Sequence, residues 1–259
     1  MSQWQGLVTY RETLAPAWWR LTVTCPDLSP QLAPGQFLLL RCGDDWRTCY
    51  LRRPLFPAGI ASTELRFLLG PDPDPGYAWL LSRQPGDILD LLGPFGVGFP
   101  ALPATRHLLL VSDSQRLGPL LAQMEAALQR GLAVTLALGG SRAATLYPPA
   151  ILPPLVEYQA ATLDGSLGHR GPITDLTANL LSWADAVFAV GSAKLYRTLT
   201  AQVAETRLGA ANDYLFGLLS EQLLGCGLGA CLSCVIETAT GQRLTCLDGP
   251  VFDLSQLEL

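Results

Sequence analysis

With 259 residues, the chain is long enough for one large domain or two to three small ones. Its 49% hydrophobic and 15% charged residues, with 25 glycines and 20 prolines, are those of a turn-rich globular protein rather than a disordered or fibrous one. A formal net charge of −5 argues against a nucleic-acid binder, which presents a basic face, and the positive mean hydropathy hints at extra buried surface such as a subunit interface.

Taken in chain order, residues 1 to about 100 have the texture of short strands. Runs of β-formers at 18–23 and 36–41 are separated by Pro/Gly turns such as Ala33-Pro34-Gly35 and Gln84-Pro85-Gly86-Asp87, a spacing that predicts an antiparallel barrel. The texture changes after Pro103. Apolar runs at 106–111, 133–138, 158–163 and 186–190 alternate with helix-like stretches at 119–129, 174–181 and 193–207, which predicts βαβ units on a parallel sheet. From about Asn212 a short helix is expected, followed by a cysteine-rich end. The expected fold class is therefore α/β plus β, with domains at 1–102, 103–211 and 212–259. The longest apolar stretches fall far short of the roughly 18–20 residues of a spanning helix, so no membrane span is expected.

The first ten residues lack a basic start followed by an apolar core, so a secretory signal is not expected. The seven cysteines are then expected in a reducing cytoplasm, where clustered thiols suggest metal before disulfide. Cys226, Cys231, Cys234 and Cys246 have the spacing C-x4-C-x2-C-x11-C, the pattern of plant-type [2Fe–2S] proteins. Three thiolates must converge from one tight loop while the fourth arrives from elsewhere. Gly225, Gly227 and Gly229 leave room for backbone N–H groups to face the negatively charged cluster. A zinc site, two disulfides and unliganded thiols stay open as competing readings. Zinc usually takes paired C-x2-C knuckles, of which only Cys231/Cys234 is present. Cys25, Cys42 and Cys49 have no such spacing and read as ordinary thiols. A lone cluster carrier needs far fewer residues, so the preceding segment is expected to hold a two-electron cofactor, for which flavin is the usual converter.

The order of barrel, βαβ domain and C-terminal plant-type cluster resembles the electron-transfer subunits of class 1B dihydroorotate dehydrogenases, within the ferredoxin–NADP reductase superfamily. The resemblance spans essentially the whole chain. It is carried by Arg53-Pro54-Leu55, by Leu92-Gly93-Pro94-Phe95-Gly96-Val97-Gly98-Phe99, by Asp164-Gly165-Ser166-Leu167-Gly168, by Gly171-Pro172-Ile173-Thr174-Asp175, and by the stretch from Glu221 to Cys246-Leu247-Asp248-Gly249-Pro250-Val251-Phe252. It implies a Rossmann-like α/β domain, FAD on the barrel and a [2Fe–2S] cluster. The partner it implies is an FMN-containing catalytic subunit that oxidises dihydroorotate, in a hetero-oligomer. By the same resemblance Arg53, with Pro54 and Leu55, lies near the FAD pyrophosphate, where a guanidinium offers several donors. Gly76 and Tyr77 take the place of a Gly-Thr pair that opens a helix at the same phosphate. Asp72 and Asp74 would oppose a phosphate there unless directed away, and Phe56 stands where a serine or threonine is usual.

The resemblance fails at the nicotinamide site. A glycine-rich turn is expected after the first strand of the βαβ domain, yet the chain reads Val111-Ser112-Asp113-Ser114-Gln115-Arg116-Leu117-Gly118-Pro119. A Cys-Gly-Pro motif reads Val190-Gly191-Ser192. NAD(H) binding is therefore expected to be weak or absent, with electrons entering or leaving through a partner. His107 and His169, the two histidines, have no metal-ligand spacing and read as structural. Two other assignments stay open: a subunit of a different redox complex, such as a hydrogenase or a ferredoxin:NAD(P) oxidoreductase, and an assembly subunit that keeps the cluster but has lost FAD.

Overall fold

A computed structural model describes residues 2–16, 18–43, 49–70, 74–206, 214–220 and 222–258. Asp72, Arg207, Asn212, the 211/212 boundary and Glu221 lie outside the described residues. The N-terminal part is one antiparallel sheet of β1 (Ser2–Ala15), β2 (Trp18–Thr24), β3 (Phe37–Leu40), β4 (Arg53–Leu55), β5 (Gly59–Ile60), β6 (Glu64–Leu69) and β7 (Ile88–Phe95), with α1 (Pro75–Leu81) between the last two. The hydrogen-bonded order is β4-β3-β7-β1-β2-β6-β5, so the expected barrel is an open half-barrel with β4 and β5 at its edges. Period-two alternation builds its core: Leu65, Phe67 and Leu69 of β6 and Leu89 and Leu91 of β7 turn inward against Leu21, Val23, Leu38 and Leu40.

The second part runs β8 (His107–Ser112), α2 (Gly118–Gln129), β9 (Ala133–Gly140), β10 (Val156–Thr162), β11 (His169–Arg170), α3 (Thr174–Trp183), β12 (Ala186–Val190), α4 (Ala193–Thr206) and β13 (Leu215–Leu218). These strands form a parallel sheet in the order β11-β10-β9-β8-β12-β13. Because both faces are covered, alternate residues of one strand enter different cores. Leu108 and Leu110 pack with Leu120, Met124 and Ala127 of α2, whereas Leu109 and Val111 pack with Leu181 of α3 and Leu195 and Leu199 of α4. The short helix expected after Asn212 is corrected here. Leu215, Phe216, Gly217 and Leu218 form a buried strand parallel to β12. Four apolar residues carry no period that separates a strand from a buried helix turn, and pairing with β12 decides the matter.

The cysteine-rich end contributes a small hairpin, β14 (Val235–Ile236) with β15 (Arg243–Leu244). The chain then returns to the α/β sheet, where β16 (Val251–Asp253) pairs antiparallel with β13. One continuous core joins all three parts, from Trp18, Phe37 and Phe95 of the half-barrel through β8 and β12 to Leu224, Cys234 and Cys246. Trp18 is fully buried, its indole N–H donates to the Leu146 carbonyl at 2.9 Å, and its ring meets Tyr147 edge-on, which fixes the half-barrel against the α/β domain.

Candidate functional site

The loop from Gly225 to Cys234 runs over the end of the half-barrel, and its backbone is shaped by residues with positive φ. Gly227 and Gly229 have φ of 71° and 73°, and Leu232 is held at 54°. A Cβ on Gly227 would lie 2.8 Å from the Phe95 ring, so glycine lets the loop close onto the barrel. Main-chain N–H groups point at sulfur: Leu228 N–H donates to Cys226 Sγ at 3.4 Å, and Gly229 N–H donates to Cys246 Sγ at 3.2 Å. Cys234 and Cys246 are buried, Cys226 is half-buried and Cys231 is exposed. Ser233 Oγ lies 3.0 Å from Cys231 Sγ and donates to the Leu223 carbonyl at 3.0 Å, bracing the loop between two thiols.

Among the described residues no three His, Cys, Asp or Glu side chains close on one point as a mononuclear metal site requires. Cys226 neighbours Cys231, and Cys246 neighbours both Cys234 and Cys226, so the four thiols share one site. Four thiolates are the donor set of a [2Fe–2S] cluster. The thiols differ electrostatically. Burial raises the Cys226 thiol, but N–H groups of Leu228, Cys231 and Ala230, with the Cys231 thiol, outweigh it and bring it down to about 6. Cys246 is pushed up to about 12, by burial first and then by the Cys234 thiol. The four cysteines, inward N–H groups and solvent-open Cys231 therefore fit a [2Fe–2S] cluster with one corner near the surface.

The second set of expected residues also converges. Arg53 and Pro54 on β4 face the start of α1, where a Cβ on Gly76 would sit 2.7 Å from Arg53 Cγ, so the close approach requires glycine. The Tyr77 hydroxyl donates to the Pro54 carbonyl at 2.9 Å. Leu55, Phe56 and Tyr77 line one side of a cleft of about 40 Å³, and Gln115, Arg116, Gly118 and Pro119 line the other. Cation, main-chain N–H, phenol and aryl groups are together, the kinds of donor and wall a flavin dinucleotide uses. Phe56 itself is turned into the core, its ring 5.7 Å from Phe37, which lies 5.6 Å from Phe95 beneath the cysteine loop. These three rings link the two candidate sites.

One feature beside this cleft departs from the expectation. Asp74 is not directed away: its carboxylate takes two bonds from Arg53 Nε, at 2.8 and 2.9 Å, and one from Gly76 N–H at 2.7 Å. Burial works against its charge, but Arg53 and the α1 N–H groups hold the carboxyl below its usual range. The Arg116 guanidinium lies 5.5 Å over the Tyr77 ring and donates to the Ser220 carbonyl.

The order of the parallel sheet reverses between β8 and β12, the place where open α/β folds bind ligands beyond the strand C-termini. A cleft of about 370 Å³ lies there, lined by Ser112 to Leu117, Gly139 to Ser141 and Ser192. Asp113 spans the reversal: its carboxylate accepts from Ser192 N–H at 2.8 Å and from the Ser192 hydroxyl at 2.6 Å. A Cβ on Gly191 would fall 2.1 Å from the Asp113 oxygen. The partner of Asp113 lies 79 residues away, beyond the reach of any local sequence pattern. His107 pairs with Asp185, and His169 with Asp175. Cys25, Cys42 and Cys49 are buried free thiols of the half-barrel.

Residues 221–258 match the model of the iron–sulfur cluster binding domain of dihydroorotate dehydrogenase B. The dihydroorotate dehydrogenase B (NAD(+)) electron-transfer subunit of Geobacillus thermodenitrificans is 30% identical over 258 residues, covering 97% of each chain. That of Shouchella clausii is 32% identical over 233 residues, covering 87% of this chain and 86% of its own. Among solved structures, an NADH-dependent reduced ferredoxin–NADP oxidoreductase superimposes with a TM-score of 0.81 at 21% identity, over 98% of this chain and 89% of that one. A ferredoxin–NADP reductase from Neisseria gonorrhoeae with bound FAD and NADP gives 0.62 at 15% identity, over 79% and 92%. By its similarity across almost the whole length, the chain belongs to the electron-transfer subunits of dihydroorotate dehydrogenase B.

Proposed function

We propose that the chain carries electrons for an FMN-containing catalytic subunit that oxidises dihydroorotate to orotate, in a cytoplasmic hetero-oligomer. The observation that carries this reading is that Cys246, arriving after the β14–β15 hairpin, receives the Gly229 N–H of the glycine-rich loop that carries Cys226, Cys231 and Cys234. These four thiolates hold a [2Fe–2S] cluster, which supplies one-electron carriage. Arg53, Pro54, Leu55, Gly76 and Tyr77 hold FAD, which supplies exchange between one-electron and two-electron chemistry. The backbone N–H groups of Leu228 and Gly229 offset negative charge on sulfur, and burial of Cys234 and Cys246 keeps water from that side. Leu223, Leu228, Leu232 and Leu247 expose their side chains around the loop. An apolar rim beside a redox centre suits a partner that must approach closely and dry the contact.

The reading for nicotinamide differs from the relatives' names. Asp113 puts a carboxylate where a diphosphate would enter and holds the Ser192 donors itself, so NAD(H) binds weakly and electrons pass to another acceptor. Closure of Arg53 by Asp74 favours a second reading, a subunit that keeps the cluster without flavin. Anaerobic purification followed by metal, sulfide and flavin analysis tests both. About two irons and two sulfides per chain are expected, with an EPR signal after dithionite and an unchanged spectrum after NADH. Stoichiometric zinc would overturn the cluster, bleaching by NADH would overturn the nicotinamide reading, and flavin released at about one per chain on denaturation would remove the flavin-free alternative.

A further inference from the structure

We infer that the Thr245 hydroxyl is a further hydrogen-bond donor to the sulfur of the bound cluster and makes that cluster easier to reduce, resting on the reading of Cys226, Cys231, Cys234 and Cys246 as its ligands and going beyond it.

Thr245 is fully buried, and its Oγ1 has no hydrogen-bond partner in a place that solvent does not reach. A buried hydroxyl left unpaired is costly, and native chains keep few of them. Among the described residues from 222 to 258 the other serine and threonine hydroxyls are engaged. Ser233 donates to the Leu223 carbonyl, Thr238 to the Gly241 carbonyl and Ser255 to Asp253, while Thr240 Oγ1 lies within bonding distance of Thr238. The carbonyls beside Thr245 are already in use. That of Cys234 accepts the Thr245 N–H at 3.0 Å, and that of Leu244 accepts from Leu247 N–H at 2.9 Å and Asp248 N–H at 2.8 Å.

The chain therefore gives this hydroxyl no acceptor, yet fixes it beside two cluster cysteines. Its backbone is bonded to Cys234, the next residue is Cys246, and both of those thiols are buried. Thiolate and sulfide sulfurs are the acceptors that cluster loading brings to this side of the loop. The hydroxyl then adds to the Leu228 and Gly229 N–H groups already aimed at Cys226 and Cys246. Reduction adds one electron to the cluster, and the Thr245 proton stays on Oγ1 throughout. A hydrogen bond to sulfur strengthens as negative charge there grows, so it favours the reduced form over the oxidised one.

Four side chains at residue 245 separate the hydroxyl from its packing. Thr and Val share a shape, as Ser and Ala nearly do, and only Thr and Ser carry the donor. Each full-length, cluster-loaded chain is poised anaerobically at one fixed potential, and EPR reads the ratio of reduced to oxidised cluster. Thr245→Val and Thr245→Ala should lower that ratio at least about threefold, and Thr245→Ser should stay within about twofold of the wild type. Electron–nuclear double resonance on the reduced wild type in H2O and in D2O should show an exchangeable proton coupling that Thr245→Ser keeps and Thr245→Val loses. Iron content and thermal midpoint check that each variant is loaded and folded.

An unchanged ratio in Thr245→Val, or ratios that follow side-chain size with Ser beside Ala, would overturn the donor while leaving the cluster standing. If Thr245→Val does not load, the Ser and Ala variants decide the matter by the same comparison. If the wild type itself takes up no iron and sulfide, the donor and the cluster reading fall together.

Discussion

A methyl group at residue 229 has little room to form. Gly229 stands at a φ of 73°, a Cβ there would lie 2.6 Å from Leu247 Cδ1, and its N–H must keep pointing at Cys246 Sγ. Leu247 can swing aside, so the backbone angle dominates the cost. Gly229→Ala should destabilise the loop by about 1–3 kcal/mol, the range for a non-glycine residue forced into this region. Iron content per chain and the thermal midpoint both report it, and a fully loaded variant with an unchanged midpoint would show that the loop adjusts freely. Leu232 already tolerates a φ of 54° one position after Cys231, which shows how tightly the cysteine geometry dictates the backbone.

At the scale of elements, Asp185 ties the turn before β12 to the start of β8. One carboxylate oxygen accepts from both Arg106 N–H and His107 N–H at 2.9 Å, and His107 Nδ1 lies 3.2 Å away. Those N–H bonds lower its pKa in the folded chain. A carboxyl depressed on folding adds stability above its unfolded value of about 3.9, and that contribution is lost as pH falls through the lower folded value. Acid unfolding followed by circular dichroism should therefore separate wild type from Asp185→Ala above pH of about 4 and bring the two together at more acid pH. A constant gap across the whole range would mean that Asp185 acts by packing rather than by charge. The half-exposed carboxylate keeps the effect small, since solvent screens it.

At the scale of the whole molecule, the cluster loop sits where three parts meet. Its inner thiols are continuous with the core of the half-barrel and the α/β sheet, while Leu232, Leu228 and Leu247 face out. Leu232→Glu should leave the iron content and thermal midpoint unchanged but weaken association with the catalytic subunit by about tenfold or more, as charge at the centre of a dry contact does. Co-purification and titration calorimetry measure it. Undiminished binding would place the docking surface elsewhere.

What the sequence determined by itself is local. C-x4-C-x2-C-x11-C fixes which thiols can share a cluster because spacing limits the reach of a short loop, and alternation from period two to βαβ units announces the two larger sheets. Resemblance singles out Arg53, Gly76 and Tyr77 as expected flavin contacts, since they stand at matching positions. Tertiary structure decided the rest, because it depends on groups distant in sequence. The 215–218 run became a strand only because β12 offered a free edge. Nothing in the local sequence states that Asp74 turns onto Arg53, 21 residues earlier, or that Asp113 reaches Ser192, 79 residues later. A charge in a sequence has a sign but no direction, and only the packed chain determines whether it repels a ligand from afar or occupies that ligand's place.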